Sequence, residues 1–529
     1  MEQGFSFHGE GSVGGGLRGL LGQVGDLFSH FSRHLAPAYH HDRCERSLQM
    51  RLYTMHKREF VLLFAGFFLS FFVIILIGLA GPAGLVTTTV KASELKTRGP
   101  GFSMASGPFV IKSPGVTSYA QQLWLSATVV VGDGTAGETF DKRFTIAVDV
   151  EGLSEGREKL QVFKEDQLFN RSRHLHCQES SCAPVTLLHL AYLSFTNYLL
   201  VLRFHGLEDI DRRYTVSDVL FAFERFEANF TQLQLWFRFI FLIVSFSATC
   251  WFGFSLRRSP SQDWSLEQRW TAALLPLLVA HNNPFFPLMF LCSSIVPRVL
   301  DSLLQVTMFC ALLLCWICVL HGLRQTSRTW LTFYVPKLVL VGLMWLLCTV
   351  LIAWRGYHSL RDPTFTGTQL GPLQGVDTFF YVLGGVYLLY VLILILRAYS
   401  DLRAMPYLGV RLKLATLSMI VLAVASLSLM SHRLRQSGLG LSFSAVLSTP
   451  YTTSTQFLAM YGLVNSFVLC MAWVFSPPTS DRPGGDSRVV KDNPAFSMIN
   501  DSDEDVIYGE EEESRRPLHR NKPDDDDSD

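Results

Sequence analysis

The sequence predicts an α-helical multi-pass membrane protein with a β-sandwich domain outside the cytosol. Three observations carry that prediction. Eight apolar runs are each about long enough to cross a hydrocarbon core of roughly 30 Å. The first two runs are separated by a long β-prone stretch, and basic residues crowd alternate connecting loops. Of 529 residues, 49% are hydrophobic and 17% charged, well below the roughly 25% charged of a soluble domain. A wholly soluble or disordered chain is excluded on that ground. Lys+Arg and Asp+Glu are both 45, so the chain lacks the basic excess of a nucleic-acid partner.

Residues 60–80 supply 21 positions without a charge and end at Gly81-Pro82. The run starts too far into the chain for a cleaved signal peptide and reads as a signal anchor. Arg43, Arg46, Arg51, Lys57 and Arg58 precede it, which places the Gly-rich tail 1–59 in the cytosol. Residues 83–234 then read as a lumenal or extracellular domain. Its β-prone runs at 109–112, 122–131, 144–150, 197–204 and 216–226 are separated by Gly, Pro and Ser. Tyr198, Leu200, Leu202 and Phe204 alternate as one buried face of a strand.

Residues 235–475 hold seven closely spaced spans, at 235–256, 270–297, 303–320, 338–354, 378–396, 414–430 and 457–475. Ten basic residues fall in the loops this assigns to the cytosol and five in those on the other side, so both termini are expected in the cytosol. Residues 235–475 as a whole carry 16 basic and 6 acidic residues, whereas the tail 476–529 carries 7 and 16. That tail lacks apolar periodicity and is expected to be disordered.

Cys177 and Cys182 are the only cysteines of the domain at 83–234, and a secretory compartment is oxidising, so a disulfide is expected. A metal site joining both thiols to His174 and His176 is the alternative. Asn170-Arg171-Ser172 and Asn229-Phe230-Thr231 are glycosylation sequons, the second close to the bilayer. In the tail, Asn493-Pro494-Ala495-Phe496 has the form of a sorting signal, with Pro494 restricting a turn and Phe496 as anchor for a clathrin-type or PTB-type adaptor. Ser502 lies among acidic residues, as acidophilic kinases require.

No His-Glu-x-x-His, phosphate loop or nucleophile constellation occurs, so neither enzymatic chemistry nor a cofactor is expected. Asp301 and Asp377 stand only at span edges, which argues against a carboxylate relay, and Arg238 is expected to snorkel to the interface. His281-Asn282-Asn283-Pro284, followed by Pro287, interrupts the third span. Its polar side chains either line a ligand cavity at a kink or fix the bundle by interhelical hydrogen bonds.

Several strings carry a family resemblance. They are Leu274-Leu275-Pro276-Leu277-Leu278, Asn283-Pro284-Phe285-Phe286-Pro287, Cys310-Ala311-Leu312-Leu313-Leu314, Tyr461-Gly462-Leu463-x-Asn465, the tail Lys491-Asp492-Asn493-Pro494-Ala495-Phe496 and Asp505-Val506-Ile507-Tyr508-Gly509. In these the chain resembles the transmembrane protein 181 family, itself similar to Wntless. The resemblance implies a β-sandwich of the Golgi-dynamics (GOLD) type over a receptor-like seven-helix bundle. It also implies a non-enzymatic receptor or trafficking role at plasma or Golgi–endosomal membranes, a protein or lipidated ligand, and use by bacterial cytolethal distending toxins. The rival readings are a G-protein-coupled-type receptor and a channel or transporter. Asn-Pro-x-x-Tyr is missing from the last span, and Asp211-Arg212-Arg213-Tyr214 lies outside the bundle.

Overall fold

A computed structural model describes residues 50–55, 57–95, 98–132, 139–153, 159–162, 169–178, 181–207, 216–292, 294–322, 329–365, 374–402, 416–417, 420–424, 426 and 451–478. Asn493, Pro494, Phe496 and Ser502 lie outside the described residues, as does most of the span expected at 414–430. Helix α1 (Lys57–Leu79) is followed by eleven strands. They are β1 (Leu85–Lys91), β2 (Arg98–Ser103), β3 (Gly107–Lys112), β4 (Leu123–Val131), β5 (Phe140–Leu153), β6 (Lys159–Gln161), β7 (Phe169–Gln178), β8 (Ser181–Cys182), β9 (Val185–Leu190), β10 (Asn197–His205) and β11 (Val216–Phe226).

Period-two alternation drives the strands. Leu123, Leu125, Ala127, Val129 and Val131 of β4 are buried in turn, and Tyr198, Leu200, Leu202 and Phe204 of β10 do the same. The expectation of a two-sheet sandwich is corrected in one respect: hydrogen bonding makes a single sheet, in the order β1-β11-β4-β8-β7-β5-β10-β3-β2. Twist curls that sheet onto itself. Phe109 on β3 therefore meets Phe221 on β11 at 5.2 Å, although the two strands are far apart in the sheet order.

Cys177 and Cys182 are register partners across β7 and β8, and their sulfurs are joined at 1.96 Å. His174 and His176 occupy the opposite, exposed face of β7, where His176 meets Asp141 at 2.5 Å. The alternation of the strand thus parts the imidazoles from the sulfurs that the metal alternative would combine.

The helical domain comprises α2 (Ala228–Leu256), α3 (Leu266–His281), α4 (Val296–Gly322), α5 (Val335–Arg361), α6 (Gln374–Leu402) and α7 (Ser454–Phe475). Among the described residues six helices are long and apolar enough to cross a membrane, and α3 is shorter. The run expected as one span at 270–297 is divided. Helix α3 starts in a capping box at Ser265 and Gln268 and stops at His281, and α4 already begins at Val296. The proline pair lies in a loop between two helices, because neither Pro284 nor Pro287 supplies an N–H for a continuing helix.

Helix α1 packs along α7. A Cβ added to Gly462 would stand 2.7 Å from the Ile74 side chain, so only a glycine admits this approach.

Candidate functional site

Among the described residues, a cluster of buried polar side chains lies in the bundle, at its end towards the β domain. Arg238 is three turns into α2 and only 4% exposed. Its Nη1 and Nη2 donate to the two carboxylate oxygens of Asp301 on α4, at 2.6 and 3.0 Å. Arg238 therefore does not snorkel. A carboxylate is within reach, and Phe286, Tyr461 and Phe457 surround the guanidinium at 4.0, 4.7 and 5.6 Å. Asp301, expected at a span edge, is likewise enclosed in the bundle.

Asn283 Nδ2 and Gln305 Nε2 donate to the same carboxylate at 2.8 and 2.9 Å. With both Arg238 contacts, Asp301 accepts four hydrogen bonds, filling the roughly four lone-pair sites of a carboxylate. All four of those donors come from the bundle and its α3–α4 loop, which ties Asp301 to α2, to that loop and to its own helix.

The break after α3 builds the rest of the network. Asn283 adopts φ +52°, a left-handed conformation that asparagine tolerates better than most residues, and this turns its amide towards Asp301. Asn282 and Asn465 of α7 exchange amide hydrogen bonds at 2.9 and 3.0 Å, and Asn282 also donates to Ser245 of α2 at 3.1 Å. His281 stacks on Tyr461 at 4.7 Å. Among the described residues, neither ring nitrogen of His281 nor the Tyr461 hydroxyl has a hydrogen-bond partner. Asn282 and Asn283 therefore join three helices by hydrogen bonds. They also line, with Arg238, Leu242 and Phe286, a cleft of about 260 Å³ beside α2.

A second network seams the β domain to the bundle. The Gln121 side chain donates to Thr231 and Gln234 of α2 at 2.9 and 3.1 Å, while its carbonyl accepts from Arg298 of α4 at 2.9 Å. Gln121 holds φ +57°, a strained conformation that this double engagement sustains. With the Gln122 amide turned so that its NH2 donates to His189 Nε2 at 2.8 Å, its oxygen accepts from Arg298 at 3.0 and 3.1 Å. His189 stacks on Trp124 at 5.3 Å and donates its backbone N–H to Pro363 at 2.7 Å. Burial, then repulsion by Arg298, pushes the His189 pKa down to about 3, so the ring stays neutral at physiological pH. Past α5, Asp362 accepts two hydrogen bonds from Arg171 at 2.9 and 2.7 Å, and the Thr364 carbonyl accepts from Arg173.

Of the residues singled out in the sequence, His281, Asn282 and Asn283 fall in the first network. Cys177, Cys182 and exposed Asn170 lie in the β domain, and exposed Asn229 opens α2. Arg238, Asp301, Tyr461 and the whole seam went unrecognised. The signal for the pair was present: one basic and one acidic residue, each inside a neighbouring helix end, where an unpaired charge is costly.

A curled β domain seamed onto a multi-helix bundle defines a class, that of membrane proteins with a GOLD-type domain on a Wntless-like transmembrane domain. Family models for the Wntless-like transmembrane domain and the TMEM181 GOLD domain match residues 227–479 and 107–226. The chain is 40% identical over 466 residues to Transmembrane protein 181 of Homo sapiens, spanning 88% of this chain and 94% of that one. It belongs to the transmembrane protein 181 family.

Proposed function

We propose that this chain is a non-enzymatic receptor or trafficking protein of plasma or Golgi–endosomal membranes. Its β domain faces the lumen or exterior and takes a protein or lipidated ligand, and both termini are cytosolic. The observation that carries the reading is the seam: Arg298, Arg171 and Arg173 tie the β domain to α4 and the segment after α5, so a ligand held outside is felt in the bundle. The Cys177–Cys182 pairing supports an oxidising compartment for the β domain. Eight spans, counting the one expected at 414–430, keep both termini on one side. Asn493-Pro494-Ala495-Phe496 recruits a clathrin-type or PTB-type adaptor, and Ser502 is a phosphorylation site beside it. A toxin docking on the exposed β domain would exploit the same accessible side.

Two measurements test the proposal. Asn170→Gln should remove an endoglycosidase-sensitive mobility shift, and an unglycosylated wild type with a surface-accessible C-terminal tag would overturn the orientation. Phe496→Ala should slow uptake about tenfold, the equivalent of about 1.4 kcal/mol of lost anchor binding. Equal uptake would remove the sorting role.

A further inference from the structure

The cleft beside α2 has an unusual floor. Its rim residues Trp236 and Phe239 are 62% and 52% exposed on the outward face of α2, so it opens sideways into the bilayer. Pro284 and Pro287 wall it without offering an N–H. The amides of Asn282 and Asn283 already donate within the network. Arg238 commits Nη1 and Nη2 to Asp301, and its Nε–H, in a side chain 4% exposed, has no acceptor among the described residues. A guanidinium donor left without a partner in an apolar surround is costly, and the missing acceptor has to come through the cleft.

Depth selects that acceptor. Arg238 lies about 15 Å along α2 from Ala228, and a helix of 29 residues overhangs a 30 Å core by about 7 Å at each end. By that count the Arg238 Cα is about 8 Å inside the hydrocarbon, but its guanidinium meets Asp301, which is five residues into the 27-residue α4 and so only about 2 Å inside. The guanidinium therefore sits just beneath the headgroup layer, below lipid phosphates and level with the first atoms of the acyl chains. The cleft, at about 260 Å³, lies under the usual range of about 300–1,000 Å³ for small-molecule pockets. It suits one acyl chain rather than a whole lipid.

We infer that the cleft is a binding site for a bilayer glycerolipid from the leaflet on the β-domain side, with one acyl chain along Leu242 and Phe286 and its ester carbonyl accepting the Arg238 Nε–H. The inference is independent of the receptor reading, which stands or falls on uptake and orientation.

The test uses the full chain, delipidated in mild detergent, supplied with palmitoyl-oleoyl phosphatidylcholine or its diether analogue, and weighed by native mass spectrometry. One diester lipid should be retained per chain. The diether, which lacks the carbonyl, should be held about tenfold more weakly, as expected for losing a hydrogen bond to a charged donor. Leu242→Trp, one turn along α2 from Arg238, fills the cleft and should abolish retention, whereas Val386→Trp, on the exposed face of α6, should not. Equal retention by Leu242→Trp and Val386→Trp would mean annular lipid only and overturn the site. Equal binding of diester and diether, measured on the wild type alone, would overturn the carbonyl contact, and preferential retention of a sterol would overturn the lipid class.

Discussion

Arg238 and Arg298 stand on neighbouring helices, yet they satisfy the same side chain in opposite ways. Arg238, inside the bundle, meets a carboxylate; Arg298, at the seam, meets a carbonyl and a neutral amide. The reason is the supply of acceptors. Within a helix bundle most backbone carbonyls are already engaged in their own i→i−4 bonds, and Arg238 takes its acceptor from a side chain of another helix. Where the strand β4 begins, the chain turns through Gln121 and Gln122 and leaves acceptors free. The bundle thus buries a matched pair of charges, while the seam surrounds Arg298 with neutral groups and keeps His189 neutral beside that cation.

That contrast is most exposed to Asp301→Ala, which would leave Arg238 buried without its counter-ion. A loss of about 3–5 kcal/mol is expected, read as a lower melting temperature and poor monodispersity in detergent. Arg238→Met combined with Asp301→Leu should recover most of it. If the double variant is no better than Asp301→Ala, the pair does more than neutralise itself.

The seam should respond to pH where the charged pair does not. Because the folded pKa of His189 is about 3 and its unfolded value 6.5, the unfolded chain binds the proton first as pH falls. Its contribution is therefore complete above pH 6.5 and is lost progressively between 6.5 and 3. From pH 7.5 to 5 this costs up to about 2 kcal/mol, at about 1.4 kcal/mol per pH unit. Thermal unfolding of the wild type should steepen with acid relative to His189→Gln, and parallel profiles would refute the assignment.

The smallest effect belongs to the outermost contact. Arg171 is 43% exposed on its side chain, so solvent screens its pair with Asp362. Arg171→Ala should cost about 1 kcal/mol or less, and 0.5 M salt should erase much of the difference. A larger, salt-independent loss would make this contact resemble the buried pair.

Much of the fold was legible because its signals are local. Apolar length announces a membrane helix, and alternation at 122–131 and 197–204 announces β4 and β10. Strand β7, with Arg173, His174, His176 and Cys177, was not legible, since polar outward residues and a buried arginine blur its period. The division of 270–297 was missed for a related reason: hydropathy sums over the loop at Pro284 as readily as over a helix.

By itself the sequence determined that the chain lies in membranes, that a β domain interrupts its helices, and that a polar, proline-bearing stretch sits within the apolar run at 270–297. These depend on composition and period within some twenty residues. Only the tertiary structure decided that Arg238 is buried rather than snorkelling, that Asp301 is its partner 63 positions away, and that Arg298 reaches back 177 positions to Gln121. A charge near a helix end has the same local sequence whether water or a carboxylate awaits it. The choice is made by what the neighbouring helix brings alongside, which no local period encodes.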